Sequence, residues 1–161
     1  MKEVFAKNGE RAFISDEDYP EIARHTWWTS AKRSSNGGFY FFTQVKGKTI
    51  YMHRMVMHAP RGVEVDHING DASDNRRDNL RLATRAQNCA NRRDYKPASG
   101  YRGVYRQPFG NSWIVKISVG GKVIRGGNFT DKTEAAERYD ALAREHFGEF
   151  AVLNFPENTG E

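Results

Sequence analysis

The stretch from residue 63 to residue 93 constrains the fold most strongly. It opens with an alternation of apolar and polar residues that ends in Asp66-His67, and this alternation predicts a strand. A polar loop rich in Asn, Asp and Gly follows, and residues 80–82 resume the alternation as a second short strand. Thr84 is suited to cap the helix that comes next. The stretch therefore predicts a β-hairpin with a helix laid across it, which brings Asp66-His67 beside Asn88.

These residue types suit one kind of chemistry. Asp66 offers a carboxylate and Asn88 an amide carbonyl, and both are hard oxygen ligands suited to Mg²⁺ or Mn²⁺. His67 titrates near neutrality, so its imidazole can take a proton from an attacking water. Asn79 can form a hydrogen bond that fixes the orientation of that ring. A bound cation beside a water-activating His is the minimal set for hydrolysing a phosphodiester. Turn formation alone would explain the loop composition but not a helical Asn88.

The order Asp66-His67, Asn79 and Asn88, with separations of 12 and 9 residues from the His onward, resembles the HNH endonucleases. These enzymes are also called ββα-metal nucleases, and the pattern is that of their His-Asn-Asn variant from phages and homing enzymes. The resemblance implies that His67 is the general base, that Asn79 holds it, and that Asp66 and Asn88 ligate one divalent cation. Asn88 stands where some members carry a final His, which favours Mg²⁺.

The chain is predicted to be an α+β protein with two domains. Residues 1–95 form a nuclease domain of β-hairpins and a ββα-metal core over residues 63–93, and residues 96–161 form a DNA-binding domain. Residues 94–100 mark the boundary because Pro and Gly among small residues break the helix. With one cysteine, Cys89, the chain has no internal disulfide. Cys89 is predicted to be a small buried helix residue.

The N-terminal part is predicted to support the nuclease hairpin, which is too small to fold alone. Asn8-Gly9 between two apolar runs indicates one hairpin, and a second is predicted over residues 39–54 about Lys46-Gly47. Trp27-Trp28 is attributed to core packing, with base stacking as the alternative. His53 is predicted to be a core His bonded to backbone, and the alternatives are a residue behind the site or a phosphate contact.

The C-terminal part is predicted to be a three-stranded sheet followed by one helix. The strands are expected at residues 101–107, 112–119 and 122–129, and a helix over residues 131–148 is predicted to cover the sheet face that carries Trp113, Val115 and Ile117. The opposite face is expected to be open and basic.

The YRGV segment that begins at residue 101, the Phe109-Gly110 pair and the closing LNFP resemble the plant ethylene-response-factor (APETALA-type) DNA-binding domain. The resemblance implies that the sheet enters the major groove of double-stranded DNA, a groove that admits a β-ribbon. It also implies that Arg102 contacts a base or phosphate. Arg125 stands where that family has a Trp, and other contact positions differ too, so the recognised sequence is not carried over.

Basic residues cluster along the chain. Residues 76–93 hold six Arg and one acid, and residues 96–128 hold six basic residues and no acid, within a net charge of +5. Such clustering beside a phosphodiesterase site predicts a polyanionic partner. The predicted DNA contacts are Arg76, Arg77, Arg81, Arg85, Arg92, Arg93, Arg102, Arg106, Lys116 and Arg125.

Together these features predict an intracellular, site-specific DNA endonuclease that uses a divalent metal. One site per chain predicts cleavage of one strand, and the sequence leaves monomer and homodimer open. No apolar run approaches the roughly 18 residues of a membrane span. Two other classes stay open. A DNA-binding regulator without catalysis would retain the nuclease half as a scaffold, and an RNA-binding protein would use exposed rings such as Tyr105.

Overall fold

A computed structural model describes residues 1–34, 37–91 and 97–156. Strands and helices are mixed along the chain, which confirms the predicted α+β class. No helix in these ranges is long and apolar enough to cross a membrane. The strands are β1 (Lys2–Phe5), β2 (Arg11–Ile14), β3 (Trp28–Ser34), β4 (Gly37–Val45), β5 (Lys48–Tyr51), β6 (Glu64–His67), β7 (Asp74–Asn75), β8 (Leu80–Ala83), β9 (Val104–Arg106), β10 (Trp113–Val119) and β11 (Lys122–Phe129). The α-helices are α1 (Tyr19–Ile22), α2 (Met52–Val56), α3 (Arg85–Ala90) and α4 (Lys132–Phe147).

The chain divides into two compact units, which we call unit 1 (Met1–Asn88) and unit 2 (Cys89–Glu161). The division falls inside α3, whereas the predicted domain boundary lies between residues 95 and 96. Cys89 is exposed, so its predicted burial was wrong. The physical reason is that α3 is only six residues long, so few of its side chains can be covered.

Unit 1 contains three small sheets, ordered β1-β2-β7, β3-β4-β5 and β6-β8. Both predicted hairpins are present, since β1 pairs with β2 and β4 pairs with β5. The second hairpin is shorter than predicted, because β5 ends at Tyr51 and residues 52–54 belong to α2. In the second hairpin Lys46 and Gly47 both have positive φ angles, 49° and 74°, as the tight turn between two paired strands requires. The apolar core is built around the largest fully buried side chains of the unit, which are Trp27, Phe41, Ile14, Ile22 and Met52.

The N-terminal strands hold the loop between β6 and β8 in place. β7, which lies in that loop, pairs in parallel with β2 through Phe13–Asp74 and Ile14–Asn75. Arg77 continues the contact, because its backbone N–H donates to the hydroxyl of Ser15. The first hairpin of the chain therefore fixes the polar loop that the candidate active site depends on.

In unit 2 the sheet order is β11-β10-β9, with all pairs antiparallel. Val115 and Ile117 are buried against α4, with Trp113 and Val119 partly buried beside them, which confirms the predicted helix-covered face. Gly103 must be a glycine, because its φ is +71° and a Cβ there would overlap the ring of Tyr139. The carboxylate of Asp131 caps α4 by accepting from the backbone N–H groups of residues 133 and 134.

Hydrogen bonds tie the C-terminal segment of unit 2 to α4 and to the start of the sheet. The buried carboxylate of Asp140 accepts from the backbone N–H groups of Asn154 and Phe155, both at 2.8 Å. The side chain of Asn154 in turn accepts from the N–H of Arg102 and donates to its carbonyl. These bonds give a physical role to the sequence LNFP, which closes the sheet-and-helix unit.

Candidate active site

The predicted hairpin and helix are present at the centre of the site. β6 and β8 pair antiparallel, with Asp66 opposite Arg81 and His67 opposite Leu80. Thr84 and Gln87 cap α3 reciprocally: the Thr84 hydroxyl accepts from the Gln87 N–H, and the Gln87 side-chain oxygen accepts from the Thr84 N–H. This exchange is the capping box that the order Thr-x-x-Gln favours. The cap fixes the point at which α3 turns back over the hairpin.

The carboxylate of Asp66 is almost fully buried and is held by Arg81. Both Nε and Nη2 of Arg81 lie 2.9 Å from Oδ2 of Asp66. The cross-strand register explains the contact, because residues opposite each other in an antiparallel pair project to the same face. The guanidinium compensates the cost of removing a carboxylate from water. Arg81, predicted as a DNA contact, thus lies against Asp66 and has a largely buried side chain.

Asn88 reaches β6 from α3. Its amide Nδ2 donates to Oε2 of Glu64 at 2.6 Å. Glu64 and Asp66 are two residues apart on one strand, so they project to the same face and their Cα atoms are about 7 Å apart. Because the carboxylate fixes which end of the amide carries the nitrogen, the Asn88 oxygen is the end left for another ligand.

This donor set fits a hard divalent cation. Asp66, Asn88 and Glu64 supply carboxylate and amide oxygens, which are the ligands that Mg²⁺ and Mn²⁺ prefer. Within residues 1–34, 37–91 and 97–156 no group of three or more His, Cys, Asp and Glu could hold a metal ion. A cation here would therefore take few protein ligands and keep several waters, as Mg²⁺ commonly does.

The position of Asn75 favours one tautomer of His67. The Nε2 atom of His67 lies 3.5 Å from Oδ1 of Asn75. The orientation of the Asn75 amide is fixed, since its Nδ2 donates to the carbonyls of Ala72 and Ser73. Its oxygen must then face the imidazole, which favours a proton on Nε2 and leaves Nδ1 as the basic nitrogen. This is the tautomer that a general base needs if Nδ1 faces the water.

Burial lowers the pKa of His67 below its usual value, and the Asn75 contact and the Asp66 charge oppose part of that shift. The imidazole is therefore neutral at pH 7 and able to accept a proton. The lowered pKa is a property of the folded site, since no feature of the sequence around His67 indicates it.

Aromatic rings surround the catalytic candidate. The ring centroids of His53 and Tyr40 lie 5.2 Å and 5.9 Å from that of His67, both in edge-to-face geometry. His53 also stacks on Tyr51 at 5.5 Å. Burial lowers the pKa of His53 to about 3, and its Nδ1 is buried with no hydrogen-bond partner among the described residues. His53 thus lies directly behind the site as a neutral packing residue, which was one of the alternatives to the predicted core His bonded to backbone.

The side chain of Asn79 bonds to the loop and not to the His67 ring. Its Oδ1 accepts from the Asn69 N–H, and its Nδ2 donates to Oδ1 of Asn69 and to the carbonyl of Asp74, at 2.8–3.0 Å. The loop so fixed is the one that carries Asn75 to the His67 ring. Asn79 was predicted to hold His67, and its effect on His67 is indirect, through the loop and Asn75.

Two arginines of the loop are paired with carboxylates. Arg76 contacts both carboxylate oxygens of Asp74 at 2.8 Å, and Arg77 contacts the buried carboxylate of Asp18 at 2.7–3.1 Å. Asp18 is 59 residues away in the sequence, so a local count of charges does not reveal it. The positive charge available to DNA around the loop is smaller than the sequence suggests. Arg85 is exposed on α3.

In unit 2 the predicted contact residues lie on two different faces. Lys116 and Arg125 are opposite each other in the strand register and share one face. Arg106 is opposite Trp113, which places it on the side that α4 covers. Arg102 donates from Nη1 to the carbonyl of Ala90. The remaining two predicted contacts, Arg92 and Arg93, lie outside the described residues.

Three residues of the site were not singled out from the sequence. They are Glu64, which binds the Asn88 amide, Asn75, which contacts His67, and Asn69, which binds Asn79. Glu64 could have been found, because strand alternation puts it on the face of Asp66. The sequence does not single out Asn75 and Asn69, since the loop contains several Asn residues and nothing in the sequence shows which of them bonds to His67 or Asn79.

Comparisons with known proteins agree with this geometry. Residues 51–94 match the model of a protein family described as HNH endonuclease. The chain is also similar to a protein of Acanthamoeba polyphaga mimivirus that is named an uncharacterized HNH endonuclease, with 28% identity over 152 residues. That alignment covers 91% of this chain and 75% of the relative. The resemblance predicted for the ββα segment is confirmed, while the resemblance of unit 2 to the plant domain stays a prediction.

Proposed function

We propose that this protein is a DNA endonuclease that hydrolyses one phosphodiester per site, with His67 as the general base. The observation that carries the proposal is the fixed imidazole. Asn75 is locked by two backbone carbonyls and in turn favours the proton on Nε2 of His67. The match of residues 51–94 to HNH endonucleases supports the same chemistry.

Asp66 and Asn88, aided by Glu64, are the residues that would hold a divalent cation, Mg²⁺ or Mn²⁺. When bound, the cation supplies positive charge that stabilises the oxygen leaving the phosphorus. The two partners of these ligands have separate roles. Arg81 holds the Asp66 carboxylate in one orientation, and Glu64 holds the nitrogen of the Asn88 amide so that its oxygen remains available.

The chemical step assigned to this chain is proton removal from water. Nδ1 of His67 takes the proton while the water oxygen forms a bond to phosphorus, and the bond from phosphorus to the 3′-oxygen breaks. The departing 3′-oxygen takes up a proton from solvent water, so the products are a 3′-hydroxyl and a 5′-phosphate. A positioned general base of this kind contributes about 10²- to 10⁴-fold to the rate. Because each chain has one such site, a single chain nicks one strand of the duplex.

Unit 2 is proposed to supply most of the duplex affinity. Lys116 and Arg125 share an open sheet face, and Tyr105 on the neighbouring strand lies under the Lys116 ammonium at 5.5 Å. Arg125 is exposed and Lys116 is half-buried, and basic side chains that share one sheet face suit the phosphates that line a DNA groove. We propose Lys116, Arg125 and the exposed Arg85 as phosphate contacts. The arginines paired with Asp74, Asp18 and Asp66 organise unit 1.

A plasmid-nicking assay tests the proposal. Supercoiled DNA in Mg²⁺ should be converted to the open circular form by the wild-type chain and not by His67→Ala, with a rate at least about 100-fold lower for the variant. Duplex binding, measured by fluorescence anisotropy, should be the same for both. Binding without nicking by the wild type would instead indicate a DNA-binding regulator. Equal nicking by both chains would reject His67 as the base.

A further inference from the structure

We propose that the outer face of the sheet β3-β4-β5 binds unpaired nucleotides of the DNA substrate, on a row of aromatic rings that ends at His67. This inference rests on the proposed nuclease function and goes beyond it, because it assigns a substrate-binding surface to unit 1. The row consists of Trp28, Phe42, Tyr40 and Tyr51.

Strand register places these rings side by side. Trp28 of β3 is opposite Phe42 of β4, and Phe42 is opposite Tyr51 of β5, so the three rings cross the sheet in one line. Tyr40 lies two residues before Phe42 and therefore projects to the same face. Phe41, between them, points to the other face and is buried in the core.

The rings of the row remain accessible. Trp28, Tyr40 and Tyr51 are 39%, 37% and 39% exposed, whereas the adjacent Trp27 is 1% exposed. Attributing the Trp27-Trp28 pair to core packing was thus right for Trp27 and wrong for Trp28. Several large aromatic side chains left together on one face form an apolar patch, and such patches mark interaction sites more often than isolated exposed residues do.

The row is continuous with the catalytic candidate. Trp28 stacks on Phe42 with ring centroids 6.4 Å apart, and Phe42 meets Tyr51 edge-to-face at 6.2 Å. Tyr40 lies 6.4 Å from Tyr51 and 5.9 Å from His67. A strand of nucleic acid that followed these rings would therefore be led to the imidazole that is proposed to activate water.

A cleft opens at the end of the row farthest from His67. Its volume is about 320 Å³, and its lining is Lys7, Asn8, Trp28, Thr29 and Phe42. The walls combine two flat rings with one ammonium and two hydrogen-bonding side chains, and none of the lining residues is acidic. A nucleotide offers the matching groups, which are a flat base, a phosphate and polar edges.

The charge of this part of the chain favours a polyanion. From residue 22 to residue 63 the sequence has seven Lys and Arg and no Asp or Glu. Lys46 and Lys48 are exposed at the turn between β4 and β5. Aromatic rings within a basic surface are the combination that binds single-stranded nucleic acid, whereas the faces of paired bases in a duplex are covered by their neighbours. The occupant we assign is therefore an unpaired DNA segment next to the cut site.

Binding of an oligonucleotide of twelve deoxythymidines tests the inference. The full chain is kept in chelator so that no cleavage occurs, and affinity is measured by anisotropy of the labelled oligonucleotide. Trp28→Ala should weaken binding by about tenfold, the effect of losing one stacked base. Trp28→Phe should keep most of the affinity because it keeps a ring. The matched control is Phe109→Ala, which removes a ring that is 93% exposed in unit 2 and should change nothing.

A second measurement needs no variant. The same oligonucleotide carrying 5-iodouracil should, on irradiation, crosslink to residues of the row, identified by mass spectrometry of the digested protein. Crosslinks confined to unit 2, or equal affinity of Trp28→Ala and Phe109→Ala, would overturn the inference. So would a change of oligomeric state in Trp28→Ala without loss of affinity, which would make the face an interface between copies.

The two proposals can fail separately. Nicking of plasmid by the wild type together with no effect of Trp28 on oligonucleotide binding would refute the aromatic surface alone. Binding through Trp28 without any nicking would refute the nuclease function and leave unit 1 with a surface for single-stranded DNA.

Discussion

The two units of the chain are built in opposite ways. Of the ten buried polar or charged residues in the described parts of the chain, eight lie in unit 1, and unit 2 has only Asn91 and Asp140. The interior of unit 2 is otherwise apolar, with Val115, Ile117 and Leu142 packed between sheet and helix. Unit 1 buries Asp66, His67, Asp74, Asn75 and Asn79 in and around one hairpin.

The unequal distribution of buried polar groups indicates which unit carries the proposed chemistry. A buried polar group costs free energy unless every bond is made, so a cluster of such groups is retained only where it has a use. In unit 1 the bonds among Asn69, Asp74 and Asn79 hold the loop that carries Asn75 to the His67 imidazole, and Arg81 separately holds Asp66. In unit 2 the buried Asp140 ties down the chain end, and the polar groups suited to DNA lie on the surface. This contrast supports the proposal that unit 1 carries the chemistry and that unit 2 holds the DNA.

Removal of a single guanidinium should break this contrast most severely. Arg81→Met leaves the buried Asp66 carboxylate without its partner, and we expect a loss of about 3–5 kcal/mol in the free energy of unfolding. Urea denaturation measures this loss. The matched control is Arg125→Met in unit 2, which removes an exposed arginine and should cost less than about 0.5 kcal/mol. Similar effects of the two substitutions would mean that the Asp66 pair contributes little.

Acid should destabilise unit 1 through His53. Its pKa is lowered from 6.5 unfolded to about 3 folded, so the neutral form is favoured in the folded state. The contribution of His53 to the free energy of unfolding is fully present above pH 6.5. It is lost as the pH falls toward 3, because the unfolded chain then binds a proton that the folded chain does not. Between pH 7 and pH 5 the loss should be about 2 kcal/mol.

The groups that face His53 are Tyr40, Tyr51 and His67, with Arg54 beside it in the chain. His53→Phe keeps a ring in this position and removes the titration. Urea unfolding at the two pH values should show that the variant lacks about 2 kcal/mol of the wild-type loss. An unchanged pH dependence in the variant would show that another group is responsible.

Neutralising the sheet face of unit 2 should have the smallest effect and should not alter the chemistry. The double substitution Lys116→Gln, Arg125→Gln removes two proposed phosphate contacts. The slope of log affinity against log salt should then fall by about 2, and the nicking rate at saturating DNA should stay the same. A lower rate at saturation would mean that the two units are not divided between chemistry and binding as proposed.

Sequence reasoning located the elements well because their signals are local. The alternation before Asp66 and the capping residue Thr84 are short-range features, and the structure has the hairpin, the capped helix and the sheet with α4 on its predicted face. The glycine turn at Lys46-Gly47 is equally local. Such features predict turns and strand pairs from neighbouring residues alone, without information on the rest of the chain.

The contacts between distant segments could not be predicted in the same way. Asp18 neutralises Arg77 across 59 residues, and the register of β6 with β8 decides that Arg81 meets Asp66. The pattern of the sequence also does not show which of Trp27 and Trp28 faces the core and which faces the surface. The run without acidic residues from residue 22 to residue 63 can be read from the sequence. It indicates a nucleic-acid surface only together with the structure, which places the exposed rings of the same segment on one face.

The central claim is that Asp66 and Asn88 hold one cation beside His67, and titrating the nicking rate with Mg²⁺ tests it most directly. Asp66→Asn keeps an acceptor for Arg81 but loses the charge, and Asn88→Ala loses the amide oxygen. Each should raise the half-saturating Mg²⁺ concentration by at least about tenfold, since even partners behind a ligand have effects of that size. Wild-type Mg²⁺ dependence in both variants, or full nicking by the wild type in chelator, would contradict the claim.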